Sequence, residues 1–128
     1  MRSPDARQKA ERRGRRSEAI AAAFLMLKGY RILARRVRTH AGEIDLVARA
    51  PSGLVCFVEV KNRADARAAA ESVAPRQQAR IARAASLYLA QRPGLRSRGV
   101  RFDIVAIGAG LRHFRDAFRP GDWREGGA

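Results

Sequence analysis

The segment GEIDLVARAPSGLVCFVEVKNR, Gly42 to Arg63, constrains this chain more than any other. Two β-rich runs, EIDLVARA and LVCFVEVKN, flank Pro51, Ser52 and Gly53, whose chemistry suits a three-residue hairpin loop. If Ala50 opposes Leu54, each later pair keeps a residue-number sum of 104. Asp45 then faces Glu59, and Glu43 faces Lys61. Because side chains alternate along a strand, these four charges share one face, leaving Ile44, Leu46, Val58 and Val60 on the other. Directly opposed Cβ atoms lie about 5 Å apart, and like charges placed so are destabilising.

Three arrangements relieve that repulsion. Lys61 and a nearby arginine can neutralise the pair in an ordinary ion network. The two carboxylates can share one proton. A divalent cation can sit between them, since paired carboxylates, a strand carbonyl and waters are the hard oxygen ligands that Mg²⁺ or Mn²⁺ prefers. No His or Cys cluster offers a zinc alternative, because His40 and His113 are isolated and read as loop and sheet residues. Lys61 lies two residues after Glu59 on the same face, where its ammonium reaches a water held by the same metal. Only Lys9, Lys28 and Lys61 occur beside 24 arginines, so a lysine at this position stands out, although a salt bridge to Glu43 would use it equally well.

At 128 residues the chain is one domain's worth. Its 27 basic and 12 acidic side chains give a net charge of +15, and the first forty residues hold 12 basic against 3 acidic. Such a surface attracts polyanions, nucleic acid above all. An arginine-rich proteome would leave the same mark. The single cysteine, Cys56, sits in an apolar run and reads as a core residue, which suits a reducing cytoplasm. The apolar run AIAAAFLML after a basic N-terminus is far shorter than the roughly 20 residues a membrane span needs, and no cleavage site follows it. Neither a membrane segment nor an export signal is expected.

Along the chain, residues 1–16 read as a basic, mobile arm. A helix is expected over 17–28, with Ser17 as N-cap and Gly29 just past its end. Tyr30 to Arg38 reads as an edge strand with a basic face. Ala64 to Pro75 is a loop or weak helix, and Pro75 opens a helix with Ile81, Ala84, Ala85 and Tyr88 on one face. Val100 to Gly108 is a strand, Leu111 to Phe118 holds a last short one, and residues 119–128 are a tail. The order αβββαβ, with or without that extra strand, makes residues 17–118 a single α/β domain.

Asp45 followed by Glu59-Val60-Lys61 resembles the PD-(D/E)xK signature of the restriction-endonuclease-like nucleases, with Ile44 in place of the usual proline. SEAIAAAFLMLKGYRILARRVRTHAGEIDLVAR, LVCFVEVKNR, RQQARIARAASLYLAQRPG and VRFDIVAI together resemble the YraN-like family of small bacterial proteins, over roughly residues 14 to 118. That family is itself grouped by resemblance near the archaeal-type Holliday-junction resolvases. The resemblance implies a restriction-endonuclease-like core, a central mixed β-sheet flanked by helices. It also implies Asp45 and Glu59 as ligands of Mg²⁺ or Mn²⁺, Glu18 as an additional ligand and Lys61 as the catalytic lysine. Gln78 would approach the site, unless it is an exposed helix residue, and Glu18 has the alternative of a favourable charge at a helix N-terminus. Arg76 and Arg80 would hold backbone phosphates.

The expected function is a cytoplasmic, metal-dependent endonuclease acting on DNA. By analogy its substrate is branched DNA, which would favour a homodimer. The alternative is a non-catalytic nucleic-acid-binding module on the same fold. A glycosidase also pairs carboxylates, but the small chain, sparse aromatics and positive charge speak against one.

Overall fold

The computed structural model describes residues 4–63, 66–96, 98–121 and 123. Helix α1 (Pro4–Leu27) leads into strands β1 (Arg31–Thr39), β2 (Gly42–Arg49) and β3 (Val55–Asn62). Helices α2 (Ala66–Glu71) and α3 (Pro75–Ala90) then carry the chain to β4 (Val100–Ile107) and β5 (Leu111–Phe114). The five strands form one sheet in the order β1-β2-β3-β4-β5. β3 and β4 are parallel and every other neighbouring pair is antiparallel, so the sheet is mixed. As expected, β1 lies at an edge.

The first helix begins at Pro4, so residues 4–16, expected as a mobile arm, continue its axis. Proline is pre-organised for a first helical position, and the Ala, Arg, Gln, Lys and Glu residues that follow are strong helix formers. Ser17 is therefore a mid-helix residue and not an N-cap. Residues 1–3 of that segment lie outside the described residues. The other end matches expectation: Tyr30 N–H donates to the Leu25 carbonyl and Gly29 N–H to Met26, both at 3.0 Å, with Gly29 at φ 90°. This is a glycine-terminated Schellman end.

The sheet is covered on both faces. Ala21, Ala22 and Leu25 of α1 pack on Leu46, Cys56, Val58 and Val105. Ile81, Ala84, Ala85 and Tyr88 of α3, the stripe read from the sequence, pack on Val47, Phe57, Phe102 and Ile104 across the other face. Phe57 stacks on Phe102 at 5.7 Å and meets Tyr88 edge-on at 6.0 Å. Cys56 is fully buried and its thiol pKa is pushed up to about 12, first by burial. The expected tail is partly docked: Trp123 meets Phe102 edge-on at 5.0 Å, because a free tryptophan would leave a large apolar area in water. Residues 122 and 124–128 lie outside the described residues.

The β2–β3 hairpin has the deduced register. Arg49↔Val55, Ala48↔Cys56, Val47↔Phe57 and Leu46↔Val58 are paired, and Ala50 N–H donates to the Leu54 carbonyl at 2.8 Å. Gly53 closes the loop at φ 97°, where an added Cβ would stand 3.0 Å from Arg98 Cδ. Arg98 is flexible enough to yield, but the backbone conformation is not. Gly53→Ala is expected to cost about 1–2 kcal/mol, lowering the melting temperature by roughly 3–8 °C.

Candidate metal and nucleic-acid site

The hairpin ladder ends at Leu46↔Val58, one step before the two carboxylates would meet. There the Val60 N–H donates at 2.8 Å to Asp45 Oδ2 instead of a strand carbonyl. A side-chain oxygen thus takes over from the main chain, and β2 and β3 part around it. Side-chain alternation breaks at the same place. Leu46 packs on the α1 side, whereas Ile44 packs on the α3 side, contrary to the expectation that both share a face with Val58. Glu43 does not face Lys61 either. It pairs with its cross-strand neighbour Arg38 at 3.4 Å, both side chains well exposed.

Asp45 and Glu59 are nevertheless brought together. The Asp45 carboxylate sits on the amide of the residue after Glu59, within electrostatic reach of the Glu59 carboxyl. The Glu59 pKa is pushed up to about 9, chiefly by burial and then by the Asp45 hydrogen bond and charge, against the opposing pull of Lys61 and Gln77. Gln77 Nε2 donates to Glu59 Oε2 at 3.3 Å. No ion pair to Asp45 or Glu59 occurs among the described residues.

Between the unfolded pKa of about 4.3 and the raised folded value, the folded chain holds a proton the unfolded chain has released, so stability falls as pH rises. Glu59→Gln removes that slope, because a neutral amide has no proton to release over this range. Without metal, the variant should match wild type near pH 4 and exceed it by about 1–2 kcal/mol near pH 8. Urea titrations across that range check this.

Glu18 is buried at 7 % exposure within α1, so the helix-terminus alternative falls. Its pKa is raised by burial first and next by Asp45, with Arg36 and Arg35 opposing. Glu18 Oε2 has no hydrogen-bond partner; Arg36 Nε stands 3.7 Å away, and Arg36 Nη1 is likewise buried and unsatisfied. Arg36 has φ 52°, a conformation costly for a non-glycine residue. It lies between the pairs Arg35↔Leu46 and Val37↔Ile44, which leaves it facing Asp45. Next to Glu18, Ser17 Oγ donates at 2.9 Å to Asn62 Oδ1 and so ties α1 to the residue after Lys61.

Gln78 is not at the site. Its Nε2 donates to the Val73 carbonyl at 3.0 Å, closing the entry to α3. Gln77 takes the place expected of it. The signal was in the sequence: Gln77 precedes Ile81, Ala84 and Tyr88 by four, seven and eleven residues and so extends the core-facing stripe. Arg76 and Arg80 are exposed on the same end of α3, and α3 reaches the β1–β2 turn, where a Cβ at Gly42 would lie 3.4 Å from Arg80 Cβ.

A second polar cluster surrounds Asp103, which no spacing in the sequence announces. Asp103, fully buried in β4, accepts two 2.8 Å hydrogen bonds from Arg101, one at 2.8 Å from His113 and one at 2.9 Å from the Asp116 N–H. Burial alone would raise its pKa, but these donors outweigh it and hold the carboxyl below its ordinary range. Arg101 also donates to the Tyr30 hydroxyl at 2.7 Å.

The helix-flanked mixed sheet, with three antiparallel strands, a helical crossover and a parallel fourth strand, is a restriction-endonuclease-like α/β core. The chain belongs to the group described as Uncharacterised protein family UPF0102, which it matches over residues 17–107. It is 50 % identical over 119 residues to a UPF0102 protein of Maricaulis maris, covering 91 % of this chain and 93 % of that one. A UPF0102 protein of Rhizobium etli is 53 % identical over 114 residues (88 % and 93 %), and one of Paramagnetospirillum magneticum 51 % over 120 (89 % and 92 %). Among the described residues, no helix is long and apolar enough to cross a membrane.

Proposed function

We propose that this chain is a divalent-metal-dependent nuclease acting on DNA, with Asp45 and Glu59 holding Mg²⁺ or Mn²⁺. The observation that carries the reading is the Asp45–Glu59 pair, two carboxyl groups set together at the point where two strands part, with no ion pair to either among the described residues. Two carboxyl groups set side by side repel unless a proton or a cation lies between them. Among the described residues, no three His, Cys, Asp or Glu side chains form a ready-made cluster, and Glu18 is drawn toward Arg36. Two carboxylates still fit Mg²⁺, which keeps most of its waters and takes further ligands from substrate phosphates. The unsatisfied Glu18 oxygen supports its role as an additional ligand.

When bound, the metal would lower the pKa of a water and offset charge on the scissile phosphate. The chain's own groups prepare the site. The Val60 N–H fixes one carboxylate and Gln77 the other, while Ser17 and Asn62 pin the strand end that presents Lys61. Lys61 would orient the attacking water and stabilise the developing negative charge. Arg76 and Arg80, exposed at the near end of α3, would hold backbone phosphates. Sparse aromatics favour recognition of backbone or shape over splayed bases. Branched DNA, bound by a homodimer, is the substrate this reading favours.

The test is cleavage of branched, single-stranded and plasmid DNA with Mg²⁺, Mn²⁺ or EDTA, with Asp45→Asn as the contamination control. Cleavage by wild type alone, dependent on metal, supports the reading. If wild type is inert on every substrate yet binds DNA with an affinity that falls steeply with salt, the chain is a non-catalytic binding module.

A further inference from the structure

We propose that Lys28 is an acyl-acceptor site for small acyl phosphates, built by an Asp103–His113–Lys28 relay at the C-terminal end of α1 and separate from the carboxylate pair. Lys28 follows Glu18 by ten residues, about 15 Å of helical rise. Both Asp103 oxygens accept from Arg101, so the group is a carboxylate and the 2.8 Å contact places the His113 proton on Nε2. Nδ1 is then a lone pair, and Lys28 Nζ lies 2.6 Å from it. The His113 side chain is 1 % exposed and held edge-on to Tyr30 at 5.4 Å, so the ring is locked, whereas Lys28 is at the surface. A carboxylate orients a base, and the base addresses a nucleophile, which is the pattern of an activated nucleophile.

Opposing influences act on the amine, and the nearby charge favours an anionic reagent. The Phe24 and Tyr30 rings, 5.4 and 6.0 Å from Nζ, hold the ammonium by cation–π attraction. Burial, then Arg115 and Arg101, lower the Lys28 pKa, with Asp103 opposing them. Arg115, exposed nearby, would attract a phosphate leaving group. In the reaction the Nζ lone pair adds to the acyl carbon, the C–N bond forms and the C–O bond to phosphate breaks. Inorganic phosphate departs with the bonding pair. The proton lost by Nζ passes to His113 Nδ1, where the Asp103 carboxylate stabilises the imidazolium until solvent takes it.

The full chain is treated with acetyl phosphate, and acetylation of Lys28 is followed by peptide mass spectrometry, with N-acetyl-lysine methylamide in the same tube as the standard. In the folded chain Lys28 should react about tenfold faster than the standard or more, and in urea it should fall to the standard's rate. His113→Phe keeps a ring against Tyr30 and removes the base; it should bring Lys28 within about twofold of the standard. A wild-type rate no higher than the standard overturns the proposal, as does an enhancement that His113→Phe leaves intact. If that variant does not fold, the comparison of folded with urea-unfolded wild type decides alone. A small acetyl thioester, which lacks the anionic leaving group, should show less enhancement, and an equal or larger one overturns the assignment to acyl phosphates.

Discussion

Asp103→Ala is expected to lower stability by about 3–5 kcal/mol, a large share of the roughly 5–15 kcal/mol available to a domain. The carboxylate is fully buried and accepts four hydrogen bonds, so its removal strands Arg101, whose side chain is only 17 % exposed, together with the His113 ring and the Asp116 N–H. Losing one partner of a buried pair costs more than the pair contributes, because the remaining charge keeps its desolvation penalty. The melting temperature should drop by roughly 10–25 °C. The pH dependence identifies the cause. A carboxyl with a depressed folded pKa stabilises fully above its unfolded value near 4, and that contribution disappears as pH falls through the folded value. The gap between wild type and Asp103→Ala should therefore be flat from about pH 5 to 8 and narrow below about pH 4.

Asp45→Asn and Glu59→Gln should each reduce DNA cleavage about 10³-fold or more, some 4 kcal/mol of barrier, and Lys61→Ala about 10²-fold or more. Metal binding separates the roles. In wild type, about 10 mM Mg²⁺ at a site of about millimolar affinity should add roughly 1.4 kcal/mol of stability. Asp45→Asn and Glu59→Gln should lose this increment, since each removes an anionic ligand, while Lys61→Ala should keep it. If Lys61→Ala abolishes the increment as well, its role is to hold the site's shape and not to serve the attacking water.

The hairpin register was legible because Pro51-Ser52-Gly53 has turn chemistry and the flanking strands alternate cleanly up to Leu46 and Val58. The place where that alternation stops was not. The Asp45 oxygen replaces a strand carbonyl, and no periodicity announces a side chain acting as backbone. The length of α1 was obscured because Arg, Lys and Glu read equally as a solvated arm and as strong helix formers. Gln77 was within reach of the stripe argument but lost to a resemblance that pointed one residue along. Asp103 gave the same signal as Asp45, a carboxylate inside an apolar run, VRFDIVAI. Tyr30 lies 71 residues from Arg101, and only the folded sheet brings it and His113 to the Asp103 cluster.

Strand β1 forms one rim of the sheet. An open sheet edge is a template on which another chain can grow, yet this one carries Arg31, Arg35 and Arg38 exposed, a register slip between Ile32 and Ala34, and the kink at Arg36. A second copy laid against it would set guanidinium beside guanidinium along an uneven rail, so fibre growth from this edge is blocked at its first step. The same positive edge that repels a sister strand draws in anions, the opposite sign of visitor.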